Sequence, residues 1–404
     1  MTRAEPQLVW SGGHHARYLP SGHLVYLHQG TLFAAAFDLG DLTIRGQPIP
    51  IVEDVANNTK RGDGHFDIST EGTLAYVRAH LVEERQVFEW VDREGNTTSL
   101  TNLGPARYGE FKLSPNGKSL AYVVNDGKQD DIWIHDIERG VSEKLTKDTA
   151  DDSRPIWSPT GQSIVFQSSR DGIHNLYWKR VNGSNEVQRL IQSPNIQFPW
   201  SWHPDGDYLA IMEILPKIGT SLRIVHLDGD DASGWTARKT EDALVTEFVE
   251  WSSGFSPDGR WLAYASNESG NYQIYFRAFP GSGGAKRISI EGRGSAWPTW
   301  SRTTNEMIFG TDEGVDDESQ VYSVGYRNDG DSLVFDRPTR WKGGTFLSKV
   351  GFCGYDLHPD GKRILILKRA ELDSEREKPK RLDHIVLFEN FFDYLRKVVP
   401  VPKK

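Results

Sequence analysis

Histidine is the residue type in this 404-residue sequence with the widest chemical range, and three histidines hold related positions. His14 and His15 precede one short apolar run, and His65 holds a similar place before the next. Imidazole binds transition metals and changes its charge near neutral pH. If the runs are strands around a common axis, these side chains could bind a metal or an anionic ligand. Exposed loop histidines are the simpler interpretation.

Motifs for several other chemistries are absent from the sequence. The single cysteine, Cys353, excludes an internal disulfide and a CxxC zinc site. There is no Gly-x-Ser-x-Gly elbow of a serine hydrolase, and no phosphate loop, HRD or DFG motif of a protein kinase. We therefore favour a non-catalytic protein without a cofactor. The alternative is a lyase or hydrolase that uses channel-lining histidines, with or without a metal.

Charge narrows the choice of partner. The formal net charge of −9 argues against nucleic acid, because phosphates require a basic surface. The acidic runs 228–231 and 312–318 lack the alternating ligand spacing of a calcium loop, so we interpret them as solvated turns.

One short phrase recurs along the chain and indicates the fold. An aromatic or aliphatic residue is followed by Ser or His, Pro, a polar residue and Gly, and then by a β-like apolar run. Phe255-Ser256-Pro257-Asp258-Gly259 before Trp261-Leu262-Ala263-Tyr264 is a strong example. The phrase ends at positions 22, 72, 117, 161, 206, 259, 304 and 361, some copies being degenerate.

The phrase is typical of a tight hairpin between the first two strands of a sheet. Proline suits the first corner of a type I turn, and glycine takes the left-handed position that closes the hairpin. Two further strands fit into each repeat of 44–57 residues. This spacing predicts an all-β fold, a β-propeller of four-stranded antiparallel blades, with eight blades or, discounting degenerate copies, seven.

A propeller must also close its ring. We predict that an N-terminal strand at 7–10 completes the last blade, that residues 1–389 form a single propeller, and that 390–404 form a short helix and tail. The charged stretch 371–381 is expected to be a solvated loop. The predicted blades are approximately 12–55, 64–103, 108–146, 152–191, 196–240, 248–290, 295–342 and 350–389.

A candidate binding site follows from this arrangement. Aromatic, basic and polar residues precede or begin the inner strands, so they should converge at one mouth of the channel. Such a composition is typical of protein and peptide hot spots. The candidates are His14, His15, Arg17, His65, Tyr108, Arg154, Phe198, Trp251, Trp297 and Phe352. We expect a protein or peptide partner, or a small ligand, and a monomeric chain.

The sequence also resembles a known family. The repeated Ser-Pro-Asp-Gly phrase, followed by a strand that ends in tyrosine or phenylalanine, resembles the TolB-like, or WD-repeat-like, bacterial propeller. Asp131-Ile132-Trp133 and Asn175-Leu176-Tyr177 are among the motifs that make residues 6–395 similar to the C-terminal propeller region of bacterial serine/threonine protein kinases. The resemblance implies a sensing or protein-binding region. No signal peptide is visible, so the expected location is cytoplasmic, or extracytoplasmic if the chain is part of a membrane-anchored kinase.

Overall fold

The chain divides into two compact units. The computed structural model describes residues 8–10, 13–28, 30–53, 55–58, 63–78, 85–183, 186–215, 219–244, 246, 248–281, 284–288, 295–315, 318–330, 332–348, 352–370 and 385–401. One unit is Glu84–Ala370, and the other combines Met1–Glu83 with Glu371–Lys404. The single domain predicted over 1–389 is thus two units, and the second is split in sequence by the first.

Each recurring phrase forms the hairpin predicted for it. In the copy ending at Gly259, the glycine N–H donates to Ser256 O at 2.9 Å, and its φ is 70°. Asp258 accepts hydrogen bonds from the Ser256 hydroxyl and the Arg260 N–H, which fixes the corner. All eight phrases form a hairpin that opens a sheet, and in the copy ending at Thr304 the Thr304 N–H donates to Ser301 Oγ instead. The local code therefore predicts these eight hairpins.

Six of these sheets make up the Glu84–Ala370 unit, and we number them as blades I to VI. Blade I consists of Tyr355–Leu357, Arg363–Arg369, Gln86–Asp92 and Thr97–Ser99. Blade II consists of Tyr108–Leu113, Ser119–Asn125, Asp130–Asp136 and Val141–Lys144. Blade III consists of Asp152–Trp157, Ser163–Ser168, Asn175–Arg180 and Gln188–Arg189.

The other three blades follow in chain order. Blade IV consists of Gln197–Trp202, Tyr208–Leu215, Gly219–Asp230 and Gly234–Leu244. Blade V consists of Glu250–Phe255, Trp261–Ser266, Gln273–Ala278 and Lys286–Arg287. Blade VI consists of Ser295–Trp300, Glu306–Val315, Glu318–Asp329 and Ser332–Phe335, with Thr339–Leu347 also paired to its third strand.

The six blades pack face to face in a closed cycle. Blades I and II share a core that contains Phe88 and Phe111, and blades VI and I share one that contains Phe346 and Tyr355. Each of the four intervening pairs has its own apolar cluster. Both faces of every sheet are therefore buried, which is the requirement that a propeller meets. The ring in this unit has six blades, and the other two phrases belong to the second unit.

Ring closure differs from the prediction. Leu8–Trp10 form no strand, and Gln7 lies outside the described residues. Blade I is instead completed by Gln86–Asp92, which pairs with Arg363–Arg369. Ile385–Phe388, which falls within the predicted last blade 350–389, pairs instead with Leu74–Val77. The phrase determines only its own hairpin, and outer strands of similar length and polarity can be exchanged between sheets.

The second unit is built around a separate apolar core. One sheet consists of His14–Leu19, His23–His28, Thr31–Asp38 and Thr43–Val52, and another of Phe66–Ile68, Leu74–Val77 and Ile385–Phe388. Asn57–Asn58 pairs with Asp63–Gly64. The predicted C-terminal helix is present as Phe391–Val398, which buries Phe391 and Leu395 against these sheets. Among the described residues no helix is long and apolar enough to cross a membrane. The stretch 371–381 lies outside the described residues.

Replacement of Phe88 by alanine should test the observed closure. Phe88 is 1% exposed and fills the interface between blades I and II, so Phe88→Ala should lower the free energy of unfolding by about 3–5 kcal/mol. The exposed control Thr98→Ala, on the adjacent strand, should stay within about 0.5 kcal/mol of the wild type. Urea unfolding measures both. Equal effects of the two substitutions would contradict the assignment of this segment to the ring.

Candidate binding site in the propeller channel

The ring encloses a cavity of about 450 Å³. All six blades contribute to its wall, through the last residues of their inner strands and the turn phrases that follow. Because each phrase comes after the inner strand, the proline position of the phrase lies at the rim and the strand residues lie deeper. A volume of this size is typical of sites for small ligands.

Hydrogen bonds between neighbouring blades, most of them between inner strands, form a belt around the cavity. Trp157 Nε1 donates to Lys112 O, and Trp300 Nε1 donates to Gly254 O, each at 2.9 Å. Five further hydrogen bonds join neighbouring blades. Written with the donor first, they are Leu113 N to Asp356 Oδ2, Gln167 Nε2 to Gln197 O, Phe255 N to Ser201 Oγ, Trp297 N to Ser252 Oγ, and Tyr355 OH to Trp297 O. Every pair of neighbouring blades is thus connected close to the axis.

Indoles and hydroxyl groups make up much of the wall. The indoles belong to Trp157, Trp200, Trp202, Trp297 and Trp300, and the hydroxyls to Ser114, Ser201, Ser252, Ser253, Ser256 and Thr299. Tryptophan offers a large apolar face at low entropic cost. This wall can therefore hold apolar groups and also hydrogen-bond a peptide backbone.

The charged residues of the cavity lie on blades VI, I and II. Lys112 Nζ is 3.1 Å from Asp356 Oδ1, and the Leu113 N–H donates to Asp356 Oδ2 at 2.8 Å. Burial alone would lower the pKa of Lys112, but the Asp356 carboxylate outweighs it and raises that pKa. Arg302 on blade VI completes the charged side. The cavity thus has two cations, one anion and a neutral opposite wall.

Cys353 lies on the same side of the cavity. Its thiol donates to Tyr355 O at 3.2 Å, and burial raises its pKa to about 12 despite the nearby Lys112 ammonium. The thiol is therefore almost entirely protonated at neutral pH. This environment suits a small packing side chain better than a nucleophile.

Six predicted site residues belong to the ring, and the structure brings them together in three groups. The Tyr108 ring packs at a tilt against Phe88, with 4.7 Å between the ring centroids, and Phe352 packs against the same cluster. The Arg154 guanidinium lies over the Phe198 ring at 4.7 Å. The rings of Trp251 and Trp297 are 5.4 Å apart.

These residues occupy a different level of the channel from the cavity. They precede the inner strands or lie in their first halves, whereas the cavity extends from the strand ends to the turn phrases, so only Trp297 lines it. Arg154 is also held by Glu110, 3.6 Å away, and its φ of 55° places it in a left-handed bulge. A binding role for this level of the channel stays a prediction.

The other four predicted residues belong to the second unit. His15 lies edge-on to Phe66 at 5.1 Å and has a φ of 52°. His14 and Arg17 are on the same strand, and His65 precedes the strand that begins at Phe66. Within the described ranges no three His, Cys, Asp or Glu side chains are placed to hold a metal.

The structure corrects the interpretation of one acidic run. Asp231 is 6% exposed rather than solvated. Its carboxylate accepts hydrogen bonds from the Ser158 hydroxyl at 3.0 Å and from Trp235 Nε1 at 3.3 Å. It therefore connects the turn phrase of blade III to blade IV. His203 and His358, which hold the serine position of the phrase in two blades, contact Asp205 and Asp360 of the same turns.

Sequence reasoning did not identify the charged residues of the cavity. Lys112 and Asp356 each lie near the end of an inner strand, where no motif marks them. A signal did exist for Arg302, because it replaces the proline of the recurring phrase in one repeat.

Comparison with known proteins agrees with this fold. Residues 106–243, which cover blades II to IV, match the family described as the TolB beta propeller domain, PD40. This part of the chain is similar to the TolB-like β-propeller. A solved structure described as a TolB of Agrobacterium tumefaciens has a TM-score of 0.52 at 18% identity, covering 71% of this chain and 99% of that one, which supports the fold alone.

Sequence relatives have varied names. An uncharacterised protein of Agrobacterium fabrum is 28% identical over 55% of this chain and 76% of its own length. The uncharacterised peptidase YuxL of Bacillus subtilis is 25% identical over 49% of this chain, but only 28% of its own length is matched. A Tol-Pal system protein TolB of Alcanivorax borkumensis is 32% identical over 21% of the chain and 20% of its own length. The chain thus matches less than a third of the length of the latter two relatives.

Alkylation of Cys353 should report on the cavity. With a pKa of about 12, the thiol should react with iodoacetamide at pH 8 on the order of 10²–10³ times more slowly in the folded protein than in urea. The folded-state rate should keep rising with pH beyond 10. The single cysteine makes mass spectrometry a direct measurement. A rate equal to that of the unfolded chain would show that the thiol is not buried as described.

Proposed function

We propose that the Glu84–Ala370 propeller is a non-catalytic binding module whose channel receives a segment of a protein or peptide partner. The observation that carries the proposal is the cavity of about 450 Å³ with its indole and hydroxyl wall. TolB-like propellers are typically protein-binding, which supports the same function.

The composition of the wall suits a peptide. Tryptophan is enriched in protein-binding hot spots, where its ring buries a large apolar area. The hydroxyls of Ser114, Ser201 and Ser256 already donate within the ring, but the Ser252 hydroxyl, which accepts from Trp297 N, keeps a proton that it can donate to a peptide carbonyl. Because the hydrogen-bonded belt already holds the wall in place, a ligand would not have to pay much entropy to order it.

The titratable groups in the cavity favour binding over catalysis. The Asp356 carboxylate accepts bonds from Lys112 and Leu113, and the Cys353 thiol has a pKa of about 12. His358 is paired with Asp360 in its turn, 2.9 Å away. A general acid or base works best with a pKa near the operating pH and a free proton path. These three groups are instead engaged in the structure of the wall.

A substitution that fills the entrance of the cavity should weaken the binding of peptides. A random heptapeptide library displayed on phage is selected on the purified protein, and the selected peptides are titrated by calorimetry. Pro257 lies at the rim and is exposed, so Pro257→Trp should fill the entrance and weaken binding at least tenfold. The control Arg139→Trp, on a side chain that is 81% exposed in an outer hairpin, should bind as the wild type does.

Two results would contradict the proposal. One is a set of selected peptides whose affinity is the same for Pro257→Trp and for the wild type. The other is that none of the peptides selected on the wild type also binds to the Arg139→Trp control. Thermal melts of both variants should stay close to the wild type, which separates a blocked channel from a misfolded ring.

A further inference from the structure

The rim of the cavity is a ring of prolines with one exception. The third position of the turn phrase is occupied by Pro115, Pro159, Pro204, Pro257 and Pro359 in five blades, and by Arg302 in blade VI. All six side chains line the cavity. A single guanidinium therefore replaces an apolar ring at one of the six equivalent positions, while the neighbouring turn carboxylates Asp205, Asp258 and Asp360 are bonded within their own turns.

Arg302 has no partner of its own. In the described part of the chain it forms no hydrogen bond or ion pair, although its charge is felt by Asp356. Both oxygens of Asp356 are already used, one by Lys112 Nζ and the other by the Leu113 N–H. The five N–H donors of Arg302 are thus available to a ligand.

The environment of Arg302 strengthens its attraction for an anion. The residue is exposed to the channel, yet the surrounding protein removes enough water to lower its pKa. Desolvation disfavours its charged form, so an unpaired guanidinium gains when an anion binds. Lys112 and Asp356 neutralise each other at 3.1 Å, which leaves Arg302 as the excess charge on this side of the cavity.

We infer that Arg302 binds the carboxylate of an acidic side chain, Asp or Glu, in a peptide segment that enters the channel. The inference rests on the proposed peptide-binding function and specifies its ligand. Guanidinium and carboxylate match in geometry and form paired charge-assisted hydrogen bonds. With the carboxylate at the rim, neighbouring apolar residues of the segment reach the indoles of Trp200, Trp202 and Trp300 deeper in the cavity.

The position of the cation favours a side chain over a chain terminus. Arg302 is in the turn phrase at the rim, so a segment that passes it continues inward to the indole wall. A terminal carboxylate bound there would have no further residues to place in the cavity. An acidic residue within the segment can pair with Arg302 at the rim while the residues next to it contact the indoles inside the cavity.

Selection on variants of Arg302 should test the inference. Peptides selected on the wild type should be enriched in Asp and Glu, and peptides selected on Arg302→Pro should not. Proline is already present at this position in five sister phrases, and no hydrogen bond from the Arg302 backbone N–H would be lost, so the ring should fold. Arg302→Gln is a second variant, which removes the charge without restricting the backbone. The control is Arg337→Gln, because Arg337 is an exposed arginine that follows the fourth strand of blade VI.

A double-substitution cycle gives the decisive number. Changing the acidic residue of a selected peptide to its amide should weaken binding to the wild type about tenfold, and so should Arg302→Gln with the acidic peptide. The amide peptide should bind to the wild type and to Arg302→Gln equally well, because either substitution alone already removes the pairing between the guanidinium and the carboxylate.

The outcomes separate this inference from the proposed function. If peptides are selected and lose affinity for Pro257→Trp, but show no acidic enrichment or no coupling to Arg302, the inference is wrong and the binding function stands. If the effect follows the free C-terminus of the peptide, the assignment to a side chain is wrong. If no peptide depends on the cavity, both proposals fail.

Discussion

The ring depends on the hydrogen bonds that connect neighbouring inner strands near its axis. Six inner strands converge there, and most of them bond directly to the next, as Trp157 does to Lys112 O and Trp300 does to Gly254 O, while Gln167 on the second strand of blade III reaches Gln197 O of blade IV. A polar group left without a partner in such a place costs on the order of 1–3 kcal/mol. Several inner strands are bulged and place Arg154, Ser252 and Trp297 at positive φ, at which Ser252 Oγ accepts from Trp297 N. The constraint that fixes the blades thus also shapes the cavity.

The hairpins could be predicted from the sequence because their causes are local. Proline, Asp or Asn and glycine in fixed order determine a turn, and the turn determines its two strands, as in Ser256 to Gly259. The outer strands could not be assigned in the same way. Gln86–Asp92 and Ile385–Phe388 are both short apolar runs, and the choice between their partners depends on packing across hundreds of residues. Ring closure and the division into two units followed from that choice.

In the candidate site, too, the features with local causes were predictable and those that depend on distant packing were not. Aromatic and basic residues at the beginnings of the inner strands were visible in the sequence, and the structure does gather Arg154 with Phe198 and Trp251 with Trp297. The cavity, however, is at the other end of these strands, where Lys112 and Asp356 meet only because blades I and II are adjacent. Arg302 was detectable only as a departure from a repeat. In a repeat protein, the copy that breaks the pattern is therefore as informative as the pattern itself.

The composition of blade I has a consequence for biosynthesis. Its Gln86–Asp92 strand pairs with Arg363–Arg369, roughly 270 residues later in the chain. At translation rates of 5–20 residues per second, the earlier strand waits roughly 15–50 s for its partner. Leu74–Val77 waits longer, because it pairs with Ile385–Phe388. During that interval both strands expose apolar edges that other chains could pair with. A nascent chain of this protein is thus most exposed to aggregation while its central blades are already folded.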